Sequence, residues 1–269
     1  MTTRAASIAY EVLAALEHGK QILPFSMRGE DFDLTTAYAV TAALRALRRE
    51  RGETPVGRKI GFTNRTMWPD YGVYTPIWGD MYDSSVLEIA DLPGALRLEH
   101  FCEPRIEPEI AFKLAAAPRP EMDEAALLDC IEWVGHGFEI VHSIFPGWRF
   151  SAADCVAAQG LHGAFLLGPR QDIDRNPDWL RALSAFEITL LRNGAPVGRG
   201  HATDVLDGPL SALRHLVALL ADDQCNPPLA AGEIITTGSV TKAFPIVAGE
   251  RWNTEIEGLP LVGISLLFA

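Results

Sequence analysis

One change of hydrophobic period governs what this chain can fold into. Up to about residue 52 the apolar residues recur at helical spacing, and beyond Pro55 they fall into short alternating runs. A first helix is expected from about Ala5 to Leu16, with Ile8, Val12 and Leu16 on one face. A second is expected from Leu34 to Arg51, opened by Asp33 as N-cap and stopped by Gly52. Strands are expected over Val56–Thr63, Glu109–Leu114, Phe138–His142, Gly163–Leu167, Phe186–Arg192, Glu233–Thr237, Arg251–Glu257 and Val262–Phe268. Asn193-Gly194 closes one of them as a hairpin. Helices over Asp123–Val134 and Pro209–Leu220 interrupt the run without producing a regular βαβ alternation. The pattern therefore predicts an α+β fold with a mixed or antiparallel sheet, and not a Rossmann fold. No Gly-x-Gly-x-x-Gly, Walker loop or Gly-x-Ser-x-Gly elbow is present.

Charge narrows the function. The chain has 269 residues and a formal charge of −12, and the acidic excess lies beyond residue 60. That balance argues against a nucleic-acid surface and against an anionic membrane face. No apolar run reaches membrane-spanning length and no secretory signal is visible, so a cytoplasmic location is expected. Cys102, Cys130, Cys155 and Cys225 form no Cys-x-x-Cys pair and sit among apolar neighbours, as buried free thiols do. Arg45, Arg48, Arg49 and Arg51 read as an exposed helix face. An aromatic-rich, irregular stretch with Trp68, Tyr71, Tyr74, Trp78 and Tyr82 either packs over the core or lines a pocket.

The segment Pro104-Arg-Ile-Glu-Pro-Glu-Ile-Ala-Phe-Lys-Leu114 carries the most chemistry. As a strand it sets Ile106, Ile110, Phe112 and Leu114 on one face and Glu107 and Glu109 together on the other. Two such carboxylates belong either to a solvated sheet face or to a cation site. Glu139, an acid inside the apolar run Gly137-Phe-Glu-Ile-Val-His142, is a third candidate, because a buried acid needs a partner or a metal. Three carboxylates without a thiol select a hard ion, Mg2+ or Mn2+.

These residues resemble a known family. Val56-Gly-Arg-Lys-Ile-Gly-Phe-Thr63, Glu107-x-Glu109, Ile131-Glu-Trp followed by Glu139, and Ala231-Gly-Glu-Ile-Ile-Thr-Thr-Gly238 occur in the order seen in the 2-oxopent-4-enoate hydratase and 4-oxalocrotonate decarboxylase branch of the fumarylacetoacetate-hydrolase superfamily. The resemblance runs from about Pro24 to Phe268. It implies one catalytic domain over residues 1–269, with a helical part at 1–55 and a mixed β-roll core of the superfamily's C-terminal type at 56–269. It implies Mg2+ or Mn2+ held by Glu107, Glu109 and Glu139, and a small 2-oxo or 2-hydroxydienoate acid from aromatic-ring breakdown as substrate. Lys59 matches the family's lysine, which anchors the carboxylate or moves a proton. Thr63, Trp78, Gln159, Thr237, Gly238 and Ser239 are expected around the substrate. A homo-oligomer is implied, with a second family member as a further partner.

Two departures bear on the reaction. The family's Pro-Asp-aromatic-Gly reads Pro76-Ile77-Trp78-Gly79, and its Asp-Thr-Val-Ala-Asp-Asn reads Asp154-Cys-Val-Ala-Ala158-Gln159. Water addition needs such acids more than decarboxylation does. His136 and His162 are candidate substitute acid–base groups, while His142 faces away from Glu139 by strand parity. The expected activity is a metal-dependent lyase, hydratase first and decarboxylase second. C–C hydrolysis of a diketo acid is the third reading, and a degenerate homologue acting as partner subunit of a lyase is the non-enzymatic one.

Overall fold

Local signals set the first elements. In a computed structural model describing residues 3–29, 31–173 and 178–269, α1 spans Thr3–Glu17 and α2 spans Leu34–Glu50. Met1 and Thr2, where the signal-peptide reading begins, lie outside the described residues. Asp33 caps α2 by accepting the Thr36 N–H at 2.8 Å, and Gly52 follows its end with φ at +89°. The two helices bury Ala9, Val12 and Leu13 against Ala37, Val40 and Leu44.

The rest is a mixed β-roll. Strands β1 (Pro55–Gly61), β2 (Ile77–Tyr82), β3 (Val86–Glu88), β4 (Arg105–Leu114), β5 (Ile131–Val141) and β6 (His162–Asp172) belong to one curled sheet. Short helices α3 (Trp68–Tyr71), α4 (Glu124–Leu128) and α5 (Ala152–Ala157) interrupt them, and α6 (Asp178–Ala185) follows. Next come β7 (Glu187–Arg192), β8 (Ala195–His201), α7 (Pro209–Ala221), β9 (Ile234–Ser239), β10 (Phe244–Pro245), β11 (Arg251–Glu257) and β12 (Ser265–Leu267). The large sheet has the order β2-β1-β9-β4-β5-β6-β3, with β10 on β4; the small one runs β12-β11-β7-β8. Among the described residues the β1/β9 and β3/β6 strand pairs are parallel, as is an isolated bridge between Leu96 and Phe268, and the other strand pairs are antiparallel. Apolar residues of the two sheets, among them Ile106, Phe138, Leu166, Trp252 and Leu266, share one core layer. Among the described residues no helix is long and apolar enough to cross a membrane.

Three expectations change. The helix expected over 123–134 stops at Leu128, because Ile131, Trp133 and Val134 pair with β4 and start an 11-residue strand. The stretch 77–82, expected to be irregular, is a strand buried at every position. Burial on both faces removes the alternation by which a strand is recognised. The arginine cluster is not simply an exposed face either. Arg45 is buried, and its Nε and Nη2 donate to the two oxygens of buried Asp80 at 2.9 Å each. Arg48 is half-buried, bound to Glu53 and Gln159, while Arg49 and Arg51 remain exposed.

The candidate His136, and His142, which parity turns away from Glu139, are both core residues. His136 Nδ1 donates to the Glu109 carbonyl at 2.9 Å, so its Nε2 accepts from Thr254 Oγ1, also at 2.9 Å. His142 Nδ1 accepts the Cys102 N–H at 3.3 Å. Neither is an acid–base group of the cavity described below. Burial holds both far below the usual histidine range, at about 4.

Two predictions follow from these buried groups. Asp80→Leu strands the Arg45 guanidinium and should cost ~3–5 kcal/mol in urea unfolding, whereas Arg45→Met added to it should recover most of the loss. His136 and His142 stay neutral in the fold while the unfolded chain protonates them below about 6.5, so the unfolded state binds more protons between pH 6.5 and 4. Their stability contribution, on the order of 3 kcal/mol each, is present above that window and lost as pH falls through it. His142→Asn keeps an acceptor for Cys102 N–H but cannot titrate, so its unfolding midpoint should fall less between pH 7.5 and 4.5.

Candidate metal centre and cavity

Strand geometry alone assembles the acid cluster. Glu107 and Glu109 are two residues apart on β4 and share a face, and antiparallel register sets Glu139 of β5 directly opposite Glu107. One carboxylate oxygen from each lies within 4.8 Å of the others. Glu109 and Glu139 are fully buried and Glu107 is half-buried. Like charges in such cross-strand positions repel, so this arrangement needs a cation.

Lys59 supplies part of it. Its Nζ lies 2.9 Å from Glu139 Oε2 and donates to the Gly160 carbonyl at 3.0 Å. That carbonyl is aimed by three successive left-handed residues, Gln159, Gly160 and Leu161 (φ +57°, +63° and +62°). A side chain at Gly160 would lie 2.8 Å from Lys59 Cδ, so the glycine both allows the turn and leaves room for the lysine. Gly238 (φ +96°) plays the matching part on β9. Its N–H donates to Glu109 Oε2 at 2.9 Å, and a Cβ there would strike Thr63 Oγ1.

The electrostatics show an unfinished balance. Desolvation, and then the neighbouring Glu139, push Glu107 up to about 7 and Glu109 well above the carboxylate range. Burial opposes charge on Glu139 as well, but Lys59 and the hydrogen bond from His162 win and hold it at about 2. Burial likewise works against the Lys59 ammonium, yet the three glutamates together raise it. Three carboxylates against one ammonium leave two charges to neutralise, by protons or by a divalent ion. Glu109 Oε1 is buried without a hydrogen-bond partner, and Glu139 Oε2 meets only the ammonium. An all-oxygen set with these free lone pairs fits Mg2+ or Mn2+.

The cluster borders a cavity of about 330 Å³. Lys59, Glu107, Thr63, Gly238 and Ser239 line it, and among the described residues the Ser239 hydroxyl has no partner. Ile77, which stands where the resemblance implies an acid, lines it too. Tyr71 stacks on Phe150 at 5.5 Å to form an aromatic wall with Phe62 and Trp148.

Several expected substrate contacts lie elsewhere. Trp78 is one residue out of phase with Ile77, so it points to the helical side and stacks on Tyr38 at 5.2 Å. Gln159 is buried between Arg48 (2.8 Å) and the Tyr82 hydroxyl (3.2 Å). Thr237 turns its hydroxyl to the Ile110 carbonyl at 3.0 Å. His162 lies behind Glu139 and does not line the cavity. Sequence reasoning misses several lining residues, Arg105 and Cys155 among them. Arg105 shares the Glu107 face, two positions earlier, which parity could have revealed; its guanidinium lies 3.9 Å above the Trp148 ring. Cys155, read only as a buried thiol, also lines the cavity, and desolvation pushes its thiol up to about 12.

Comparison with known proteins agrees with this architecture. Over 247 residues the chain is 30% identical to a 2-hydroxyhexa-2,4-dienoate hydratase of Comamonas testosteroni, covering 91% of this chain and 90% of that protein. It is 31% identical over 261 residues to 2-keto-4-pentenoate hydratase 2 of Dechloromonas aromatica, covering 95% and 94%. The fold matches 4-oxalocrotonate decarboxylase from Pseudomonas putida G7, complexed with magnesium and adipate, with a TM-score of 0.90 at 24% identity over 100% of this chain and 99% of that one. Residues 92–263, which hold the three glutamates and the Gly238 turn, match the fumarylacetoacetate (FAA) hydrolase C-terminal family, and the chain belongs to that family.

Proposed function

We propose that the chain is a Mg2+- or Mn2+-dependent lyase acting on a small 2-oxo or 2-hydroxydienoate acid of aromatic-compound breakdown, adding water to a 2-hydroxyalka-2,4-dienoate. The observation that carries this reading is the meeting of Glu107, Glu109 and Glu139 with Lys59 at the edge of a mostly apolar cavity. The names of the hydratase relatives support it. Glu107, Glu109 and Glu139 would hold the ion, which when bound supplies Lewis acidity toward a chelating 2-oxo acid. Lys59 would anchor the substrate carboxylate and hold the proton that moves. Thr63, Gly238 and Ser239 would frame the acid end, and the Phe62, Tyr71 and Phe150 wall would keep bulk water from it.

A second reading, decarboxylation, draws on two observations. Ile77 and Ala158 stand where acids are expected, so few groups remain to direct a water. Arg105 and Lys242 line the cavity and form no ion pair among the described residues, which suits a second carboxylate at the far end of the substrate. The C–C hydrolase reading loses its base, since His136 and His162 lie outside the cavity. The proposal takes residues 1–269 as one catalytic unit, 1–55 backing the 56–269 core, in a cytoplasmic homo-oligomer able to join a second family member.

Turnover of 2-hydroxypenta-2,4-dienoate and of 2-oxohex-3-enedioate, with Mg2+ and after chelation, tests both readings. Hydration of the first, lost on chelation, is expected; inertness to both acids at every metal level would overturn the lyase assignment. Glu109→Gln should abolish Mg2+ binding measured by calorimetry together with turnover. Under decarboxylation, a 2-oxo diacid should bind more tightly than the matching monoacid, and Arg105→Leu with Lys242→Met should erase that preference.

A further inference from the structure

Glu139 is held from behind by a chain of buried hydrogen bonds that the proposed chemistry does not itself require. His162 opens β6, and its Nδ1 lies 2.8 Å from Glu139 Oε1. Its Nε2 lies 2.9 Å from Ser85 Oγ, on the turn between β2 and β3. Ser85 Oγ in turn accepts the Tyr82 N–H at 3.1 Å, and the Ser85 carbonyl accepts the Phe165 N–H at 2.8 Å, which ties the turn to β6. His162, Ser85 and Glu139 are 4%, 7% and 0% exposed, so water does not compete for these bonds.

The direction of the chain follows from donor and acceptor chemistry. An ionised carboxylate only accepts, so Nδ1 carries the proton facing Glu139. This holds in either charge state of the ring. In a neutral imidazole Nε2 then accepts the Ser85 O–H; in a charged one Nε2 donates and the Ser85 hydroxyl turns to the Tyr82 carbonyl, 3.2 Å away. His162 meets no substrate on this path. It faces a second cavity of about 250 Å³, walled by Leu13 and Leu16 of α1 and Arg48 of α2, while Leu161 faces the first.

We infer that His162, braced by Ser85, is a positioning residue for Glu139: it occupies Oε1 and leaves Oε2 as the oxygen presented to a divalent cation beside Glu107 and Glu109. The inference rests on the metal reading of the three glutamates. Partners of this kind fix a carboxylate ligand's orientation, and their removal typically costs ~10–100-fold in metal affinity.

Calorimetric titration of the full chain with Mn2+, together with the bound ion's paramagnetic resonance spectrum, tests it. His162→Asn places its side-chain amide where Nδ1 stood and keeps the donor to Glu139. His162→Gln places it near Nε2 and loses that donor. Gln and Leu at this position should weaken Mn2+ binding by ~10–100-fold and alter the spectrum, and Asn should stay within a few-fold of the parent. Ser85→Ala should fall between them. A merely structural histidine would give equal Asn and Gln affinities that track urea stability, and that result overturns the inference. Should the Leu variant fail to fold, the Asn–Gln contrast still decides. Absence of Mn2+ binding by the unaltered protein would overturn the metal reading itself, a different outcome.

Discussion

Repulsion among three carboxylates, two fully buried and one half-buried, is the constraint around which this protein is arranged. Glu107, Glu109 and Glu139 project from adjacent strands of the central sheet, where desolvation penalises every negative charge. The surroundings answer with one positive group inside the site, Lys59, and with directed donors from Gly238 and His162. Each compensation depends on an element remote in sequence. The order β1-β9-β4-β5-β6 brings lysine, glycine turn, acids and histidine side by side. The mixed topology is thus what makes the site, because its parallel β1/β9 pair brings Lys59 beside Thr236, next to the Gly238 turn.

Strand parity then divides labour between the faces of the same two strands. On β1 and β2, Lys59 and Ile77 face the cavity while Arg58, Trp78 and Asp80 face the helices. The helix side carries its own buried charges, Asp80 with Arg45 bidentate and Arg58 at 3.7 Å. An ion pair so deeply buried adds little net stability, since desolvation offsets its attraction. Its effect is registry. A one-residue slip of β2 would send Asp80 into the carboxylate cluster and Trp78 into the cavity, and Arg45 makes that arrangement costly.

What was legible in the sequence follows the range of the interactions. The Asp33 cap, the Gly52 stop and the paired faces of Glu107 and Glu109 depend on near neighbours and read correctly. The three acids and Lys59 were readable from motif order, and the structure brings all four together. Trp78, Gln159 and Thr237 sit beside motif residues but point the other way; strand parity separates Trp78 and Thr237 from their neighbours, while Gln159 lies on a left-handed turn to which parity does not apply. The excess helix at 129–134 arose because apolar residues there pair with β4, a partner no local window contains. His162 lies behind Glu139 and outside the cavity that Glu107 lines. Its other ring nitrogen meets Ser85, 77 residues away, a contact no local window contains.

Under the proposed function, an acidic chain has to accept an anionic acid, which sets one more electrostatic demand. With a formal charge of −12, its far field repels such a substrate, although screening confines that repulsion to about 10 Å in ordinary salt. Within that distance the local charges decide. Arg105 sits over the Trp148 ring, two residues from Glu107 on the same face, and Lys242 lines the cavity from the loop after β9. A divalent ion on the three glutamates, counted with Lys59, would bring the inner cluster from −2 to zero, and the two outer cations would then leave the cavity positive. Apolar walls such as Ile77, Phe62 and Phe150 lower the local dielectric and lengthen the reach of that field. The apolar replacements that weaken the case for a directed water therefore strengthen the hold on a carboxylate.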